Sequence, residues 1–414
     1  MSKRLLLLPL LVSVTCPAAW AQAPAGAEFQ VNSHSTSGQR YPAAASDADG
    51  SFVVVWDSYG QDGYSYGVFG RRFNAAGFPQ GSEFQVNSYT LGWQRHPKVA
   101  SDANGNFVVV WQTCGPWGGS CQDGNAYGVF GQRFNAGGLA QGSEFQVNSY
   151  TTGNQIWPAV ASDASGSFVV VWVSVGQDGS GGGIFGRRFN AAGLPQGSEF
   201  RVSSYTTGNQ DFPAVASDAN GSFAVVWENY WDVFGQRFNP SGLPEGGEFQ
   251  VNSYTTGFQG RPAVATDSSG TFVVVWVSVG QDGSGGGIFG QRFSAGGLPQ
   301  GPEFQVNSYT TSHQSVPSVA SAANGNFVVV WESYGDQDGN SGGVFGQRFN
   351  ASGVTQSSEF QVNSYSTGPQ IWPAAASDAT GNFVVAWHSI GQDGSSYGIF
   401  GQRFGDLIFR DGFQ

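Results

Sequence analysis

Four short segments recur along the chain, each with its own hydrophobic rhythm. Glu-Phe-Gln-Val-Asn, first at 28–32, alternates polar and apolar positions. Pro-Ala-Val-Ala-Ser (158–162) is short and small. Phe-Val-Val-Val-Trp (52–56) is a continuous β-branched and aromatic run, the pattern of a strand covered on both faces. Gly-Val-Phe-Gly-Gln-Arg-Phe (128–134) alternates again. Turn pairs such as Asn104-Gly105 and Asp62-Gly63 separate the segments and suit tight hairpins. Past the first residues, no stretch has helical periodicity.

The Glu-Phe pair marks the period. It begins at Glu28, Glu83, Glu144, Glu199, Glu248, Glu303 and Glu359, in steps of 55, 61, 55, 49, 55 and 56 residues. Four strands per copy is the signature of a propeller blade. The predicted fold is therefore all-β: a seven-bladed β-propeller with four antiparallel strands per blade. The first copy starts at Glu-Phe-Gln-Val-Asn, and the last ends one strand short. Pairing of Phe29–Val31 with the last three strands would latch the ring. That latch makes Pro-Ala-Val-Ala-Ser innermost and Glu-Phe-Gln-Val-Asn outermost. An open solenoid would need atypical capping repeats, and independent sandwiches of about 55 residues would bury little core.

The ends and the charge add a compartment. Lys3 and Arg4, the apolar run Leu5 to Val14, and Ala19-Trp20-Ala21 predict a signal peptide over 1–21. One propeller then occupies 22–404, and 405–414 form a short tail. The expected location is extracellular or periplasmic. Removing Lys3 and Arg4 from the 17 basic residues leaves 15 against 29 acids, a net charge of −14. Such a surface repels nucleic acid and anionic membranes, and no later segment is apolar enough to insert into one. Cys114 and Cys121, seven residues apart, are expected to form a local disulfide. The chain is expected to be a monomer.

The Phe-Val-Val-Val-Trp, Gly-Gln-Asp-Gly and Gly-Gln-Arg-Phe segments resemble repeats of secreted bacterial proteins. Some of these are large, adhesin-like and carry calcium-binding glycine-rich modules. The resemblance covers residues 28 to about 404 and implies a repeat architecture without a defined activity. The last eight residues, Leu407 to Gln414, resemble a short ending of some secreted Gram-negative proteins, with Gln414 in place of the usual acid.

Residues shared by every copy read as architecture. These are the Trp closing each Phe-Val-Val-Val-Trp, the Arg of each Gln-Arg-Phe or Arg-Arg-Phe, and Gln39 with its equivalents three residues before a Pro. Asp62, Asp123, Asp178, Asp282, Asp338 and Asp393 sit in Gln-Asp-Gly loops that the fourth copy lacks. Asp with flexible Gly suits calcium and suits a plain turn at least as well. No other cofactor is expected.

Function is expected where the copies differ. The two residues between that Gln and Pro vary, giving Tyr41, Trp157, Phe212, Arg261 and Trp372 among others. So does the residue after each closing Trp, which includes Asp57, Glu228 and Glu332. Both sets are expected around one channel mouth. Loop length varies too. The second copy has a long loop with Trp117 and the cysteines, and the fourth is cut to a notch at Tyr230 and Trp231. The leading expectation is a non-catalytic module binding a glycan or protein at this loop face. A propeller glycosidase and a purely structural envelope protein are the alternatives. No GxSxG, phosphate-binding or dinucleotide motif is present, and the four histidines have no metal spacing.

Overall fold

The computed structural model describes residues 23–114 and 121–405. The expected signal peptide and the tail beyond Gly405 lie outside them. Among the described residues the chain is all-β, with one three-residue 3-10 turn at Asp336–Asp338.

Every copy contributes the same antiparallel ladder. Gln39–Ser46 pairs with Phe52–Tyr59, which pairs with Tyr66–Phe73, which pairs with Phe84–Gln85. Five sheets have four strands in this order. A sixth has eight, two such units joined by the single parallel bridge Tyr66–Trp93. The sheet of Gln370–Ser377, Phe383–Ile390 and Tyr397–Phe404 takes Phe29–Gln30 as its fourth strand. There Phe29 lies opposite Gly401, and the Val31 N–H donates to the Ile399 carbonyl at 2.8 Å. The order is the one expected, but the boundaries differ. The outermost strand pairs over only two residues, and the innermost begins at the Gln, so the variable residues lie inside it.

The apolar run is explained by packing on both faces. Val53 and Val55 meet Phe107, Val109 and Trp111 of the next copy. On the other face, Phe52, Val54 and Trp56 meet Val384 and Ala386 of the last copy. The seven closing tryptophans are all fully buried.

Polar residues of the repeat tie neighbouring sheets together. The Glu83 carboxylate accepts from the Ser33 N–H at 2.7 Å, the Ser33 hydroxyl at 3.0 Å and the Gln61 amide. Glu28 accepts equivalently from Ser364, at 2.6 and 2.8 Å, and from Gln392. These are charge-assisted bonds, stronger than neutral ones. Arg237 donates to the Gly296 carbonyl at 2.9 Å and Arg403 to the Ala76 carbonyl at 2.6 Å, each in the following turn along the repeat. Gln39 is fully buried and donates to the Thr36 carbonyl at 3.0 Å, holding the crossover link.

Candidate functional site

Each innermost strand is broken at the same place. Arg40 lies opposite Asp57 and Ala43 opposite Val55, so Tyr41 and Pro42 face Trp56 alone. This is a β-bulge, which bends a strand and re-aims a side chain. All seven innermost strands carry it. The residue before each Pro takes a left-handed conformation. Values of φ are 52° at Tyr41, 52° at His96, 54° at Trp157, 49° at Phe212, 52° at Arg261, 48° at Val316 and 58° at Trp372. For bulky and β-branched residues this is a costly region, on the order of 1–3 kcal/mol each.

The bulges gather these side chains into a ring of contacts. Trp372 meets Tyr41 at 4.9 Å between ring centroids, Tyr41 meets His96 at 4.4 Å, His96 meets Trp157 at 4.4 Å, and Trp157 meets Phe212 at 5.2 Å. The short Val316 leaves a gap that Arg261 spans, its guanidinium 5.3 Å from the Phe212 ring and 5.5 Å from the Trp372 ring. These residues, the prolines and the two residues after each Pro line one cavity of about 330 Å³. Tyr41, Trp157, Phe212, Arg261 and Trp372 are thus brought together.

The residues following the closing tryptophans do not join them at the opening. A bulged N–H loses its ladder partner and needs another acceptor. In five of the seven copies the neighbouring copy supplies it. His96 N–H donates to Asp57 at 3.4 Å, Trp157 to Gln112 at 2.9 Å, Arg261 to Glu228 at 3.2 Å, Trp372 to Glu332 at 3.0 Å, and Tyr41 to the His388 ring nitrogen at 3.4 Å. These side chains stand behind the ring, outside the cavity lining. Burial pushes the Asp57 carboxyl up to about 7, against the pull of Arg95, 3.5 Å away. Burial also raises Glu228 to about 7 and Glu332 above its usual range. It holds His96 and His388 down to about 3, so both are neutral imidazoles. Of Arg40, Arg95 and Arg261, which all lie between the Gln and Pro of their copies, only Arg261 lines the cavity. Arg40 stacks on Tyr397 at 4.1 Å and Arg95 on Tyr66 at 4.4 Å.

A second cavity is lined by the equivalent turn segment of every copy, Ser-Asp-Ala in five, Thr266-Asp267-Ser268 in one and Ser321-Ala322-Ala323 in one. The aspartates serve their turns. Asp47 accepts from the Asp49 and Ser51 N–H groups at 3.0 and 2.8 Å.

The Gln-Asp-Gly loops form Asx turns. Asp62 Oδ1 accepts from the Tyr64 N–H at 3.0 Å, and the other five aspartates do likewise. The second oxygen of all six is buried without a hydrogen-bond partner.

The two odd loops differ as expected. Cys114 and Cys121 form a disulfide. Trp117 lies outside the described residues. The fourth copy's hairpin turns at Tyr230 and Trp231, with Asn229 opposite Asp232. Tyr230 and Trp231 are 58% and 66% exposed and lie outside the cavity.

Neither a protein-family model nor a curated protein matches the chain. Solved structures do. An unknown-function protein of Dyadobacter fermentans is 10% identical, with a TM-score of 0.54 over 93% of this chain and 98% of that one. The α-L-arabinanase of Penicillium chrysogenum, solved with arabinobiose, is 14% identical, with a TM-score of 0.51 over 80% of this chain and all of that one. A Hadza microbial sialidase is 11% identical, with a TM-score of 0.48 over 92% of this chain and 68% of that one. The likenesses above a TM-score of one half agree with the strand order: the chain is an all-β protein of repeated four-stranded antiparallel sheets, propeller-like in architecture.

Proposed function

We propose that this chain is a secreted, closed seven-bladed propeller that binds a glycan at its channel mouth without catalysing a reaction. The observation that carries the reading is the ring of Tyr41, Trp157, Phe212, Arg261 and Trp372, each aimed by a strained bulge. Aromatic faces with a few polar groups suit a sugar. The arabinanase of similar fold was solved with arabinobiose, which makes saccharides the first class to test.

Closure draws support from the fourth strand that Phe29–Gln30 gives the last sheet, from the Glu28–Ser364 clamp, and from two cavities lined by all seven copies. Secretion rests on the sequence of residues 1–21, and the disulfide fits an oxidising compartment. Binding is favoured over hydrolysis because no carboxylate lines the ring cavity among the described residues, and glycosidases use a pair of them. Tyr230 and Trp231, exposed at the fourth copy's turn, would extend the site across the loop face.

The test is a glycan array probed with the folded protein. Retention of one saccharide class is expected, lost when Tyr41 and Phe212 are replaced by Ala in a still-folded chain. Retention unchanged by those substitutions would remove the cavity from the reading. Replacing Tyr230 and Trp231 by Ala is expected to weaken binding less, because neither touches the cavity.

A second reading concerns calcium at the Gln-Asp-Gly loops. One observation favours it: six buried carboxylate oxygens without partners. Such groups normally find a water or an ion. Bound calcium would stabilise by mass action. Chelation is then expected to lower the melting temperature and calcium to restore it. An unchanged melt would leave these loops as turns.

A further inference from the structure

Resting on the saccharide reading above, we infer that Lys98 makes the channel cavity select an acidic saccharide, one whose carboxylate meets the Lys98 ammonium inside the lumen. Lys98 lies opposite Val110, the first paired position after the bulge. The other copies hold Ala43, Ala159, Ala214, Ala263, Ser318 and Ala374 at that position. One long cation thus replaces a small residue at a single point of an otherwise repeated wall.

Lys98 is exposed to the cavity it lines. Among the described residues it has no ion pair and no side-chain hydrogen bond. The walls around it disfavour its charge and lower its proton affinity. A structural lysine would be expected to pair or to snorkel to open solvent. This one lines the cavity without a counter-charge among the described residues.

The charge balance of the cavity points the same way. Its lining holds Lys98 and Arg261 and no acid, with His96 neutral. The chain as a whole carries a formal charge of −12. A cationic spot enclosed by low-dielectric walls focuses its field on a small anion. Arg261 lies against the Phe212 and Trp372 rings, whereas Lys98 is a lining cation without such a ring contact among the described residues. A volume of about 330 Å³ is at the small end for a ligand pocket, which suits one or two sugar rings. The acids at the opposite mouth are engaged in their own turns.

The experiment compares tri-galacturonate with its carboxyl-reduced trisaccharide by calorimetric titration. Wild type is expected to prefer the acid at least tenfold. Lys98→Ala, which installs the residue most other copies carry, is expected to keep its melting temperature and lose that preference. Lys98→Arg is expected to recover most of it. An acid preference unchanged in Lys98→Ala would overturn the inference, as would wild type binding the neutral trisaccharide equally well. Those results would leave the saccharide reading standing. Binding of neither sugar would overturn both. Equal or tighter binding of a peptide with a free C-terminal carboxylate, such as Ala-Ala-Phe, would overturn the saccharide class.

Discussion

Trp56→Ala is expected to destabilise the fold by about 3–5 kcal/mol, as much as the same change at Trp227. Trp227 lies mid-chain, packed against Val169 and Val171 of the preceding copy. Trp56 belongs to the first copy and has no preceding copy in sequence. Its cover comes from Val384, Ala386 and Ile399, more than 300 residues away, and from Val31. In a closed ring the two sites are equivalent, and each substitution leaves a large cavity. In an open array Trp56 would sit on a bare end and its loss would cost little. Guanidinium midpoints of the two variants, measured side by side, distinguish these cases. A much smaller shift for Trp56→Ala would refute closure.

Asp57→Asn is expected to change sides with pH. In the folded chain Asp57 keeps its proton up to about pH 7, against 3.8 for a free carboxyl. Between those values the folded state binds more protons than the unfolded one. Stability from this group is therefore greatest below about pH 4 and falls as pH rises to 7. A shift of roughly three units corresponds to at most about 4 kcal/mol. His96 and His388, both near 3 when folded, act oppositely: their contribution is lost as pH falls from about 6.5. The wild-type profile sums these effects, so the difference between wild type and variant isolates Asp57. Asn can still accept from the His96 N–H. Its stability relative to wild type is expected to rise by about 2–4 kcal/mol between pH 5 and pH 8. A difference independent of pH would mean that Asp57 ionises normally against Arg95.

Much of this architecture was legible because the period repeats every chemical role. The Phe-Val-Val-Val-Trp run shows a strand covered on both faces, and Val53 and Val55 indeed face one neighbour while Phe52, Val54 and Trp56 face the other. The last copy's missing strand pointed to Phe29–Val31. Two features were not legible. The bulge before each Pro depends on backbone angles that Tyr41 or Val316 does not advertise. In five of the seven copies it turned the residue after the closing Trp from a rim group into an acceptor behind the ring, Val173 and Val277 being the exceptions. The signal available was chemical: Asp57, Gln112, Glu228, Glu332 and His388 all bring an acceptor into an apolar strand, where solvent exposure would impose no such common property. Lys98 was not legible because a lysine ordinarily signals a solvated surface, and only its place in the cavity lining makes its position unusual.

Saccharide binding is proposed at the strained aromatic ring of the channel mouth. Its most direct measurement is a titration of the best array saccharide into wild type and into the Trp157→Ala/Trp372→Ala double variant. Both residues are half-buried at the mouth, so the variant is expected to fold. At least a tenfold loss of affinity is expected, with little change in melting temperature. Equal affinity in a folded double variant would contradict it.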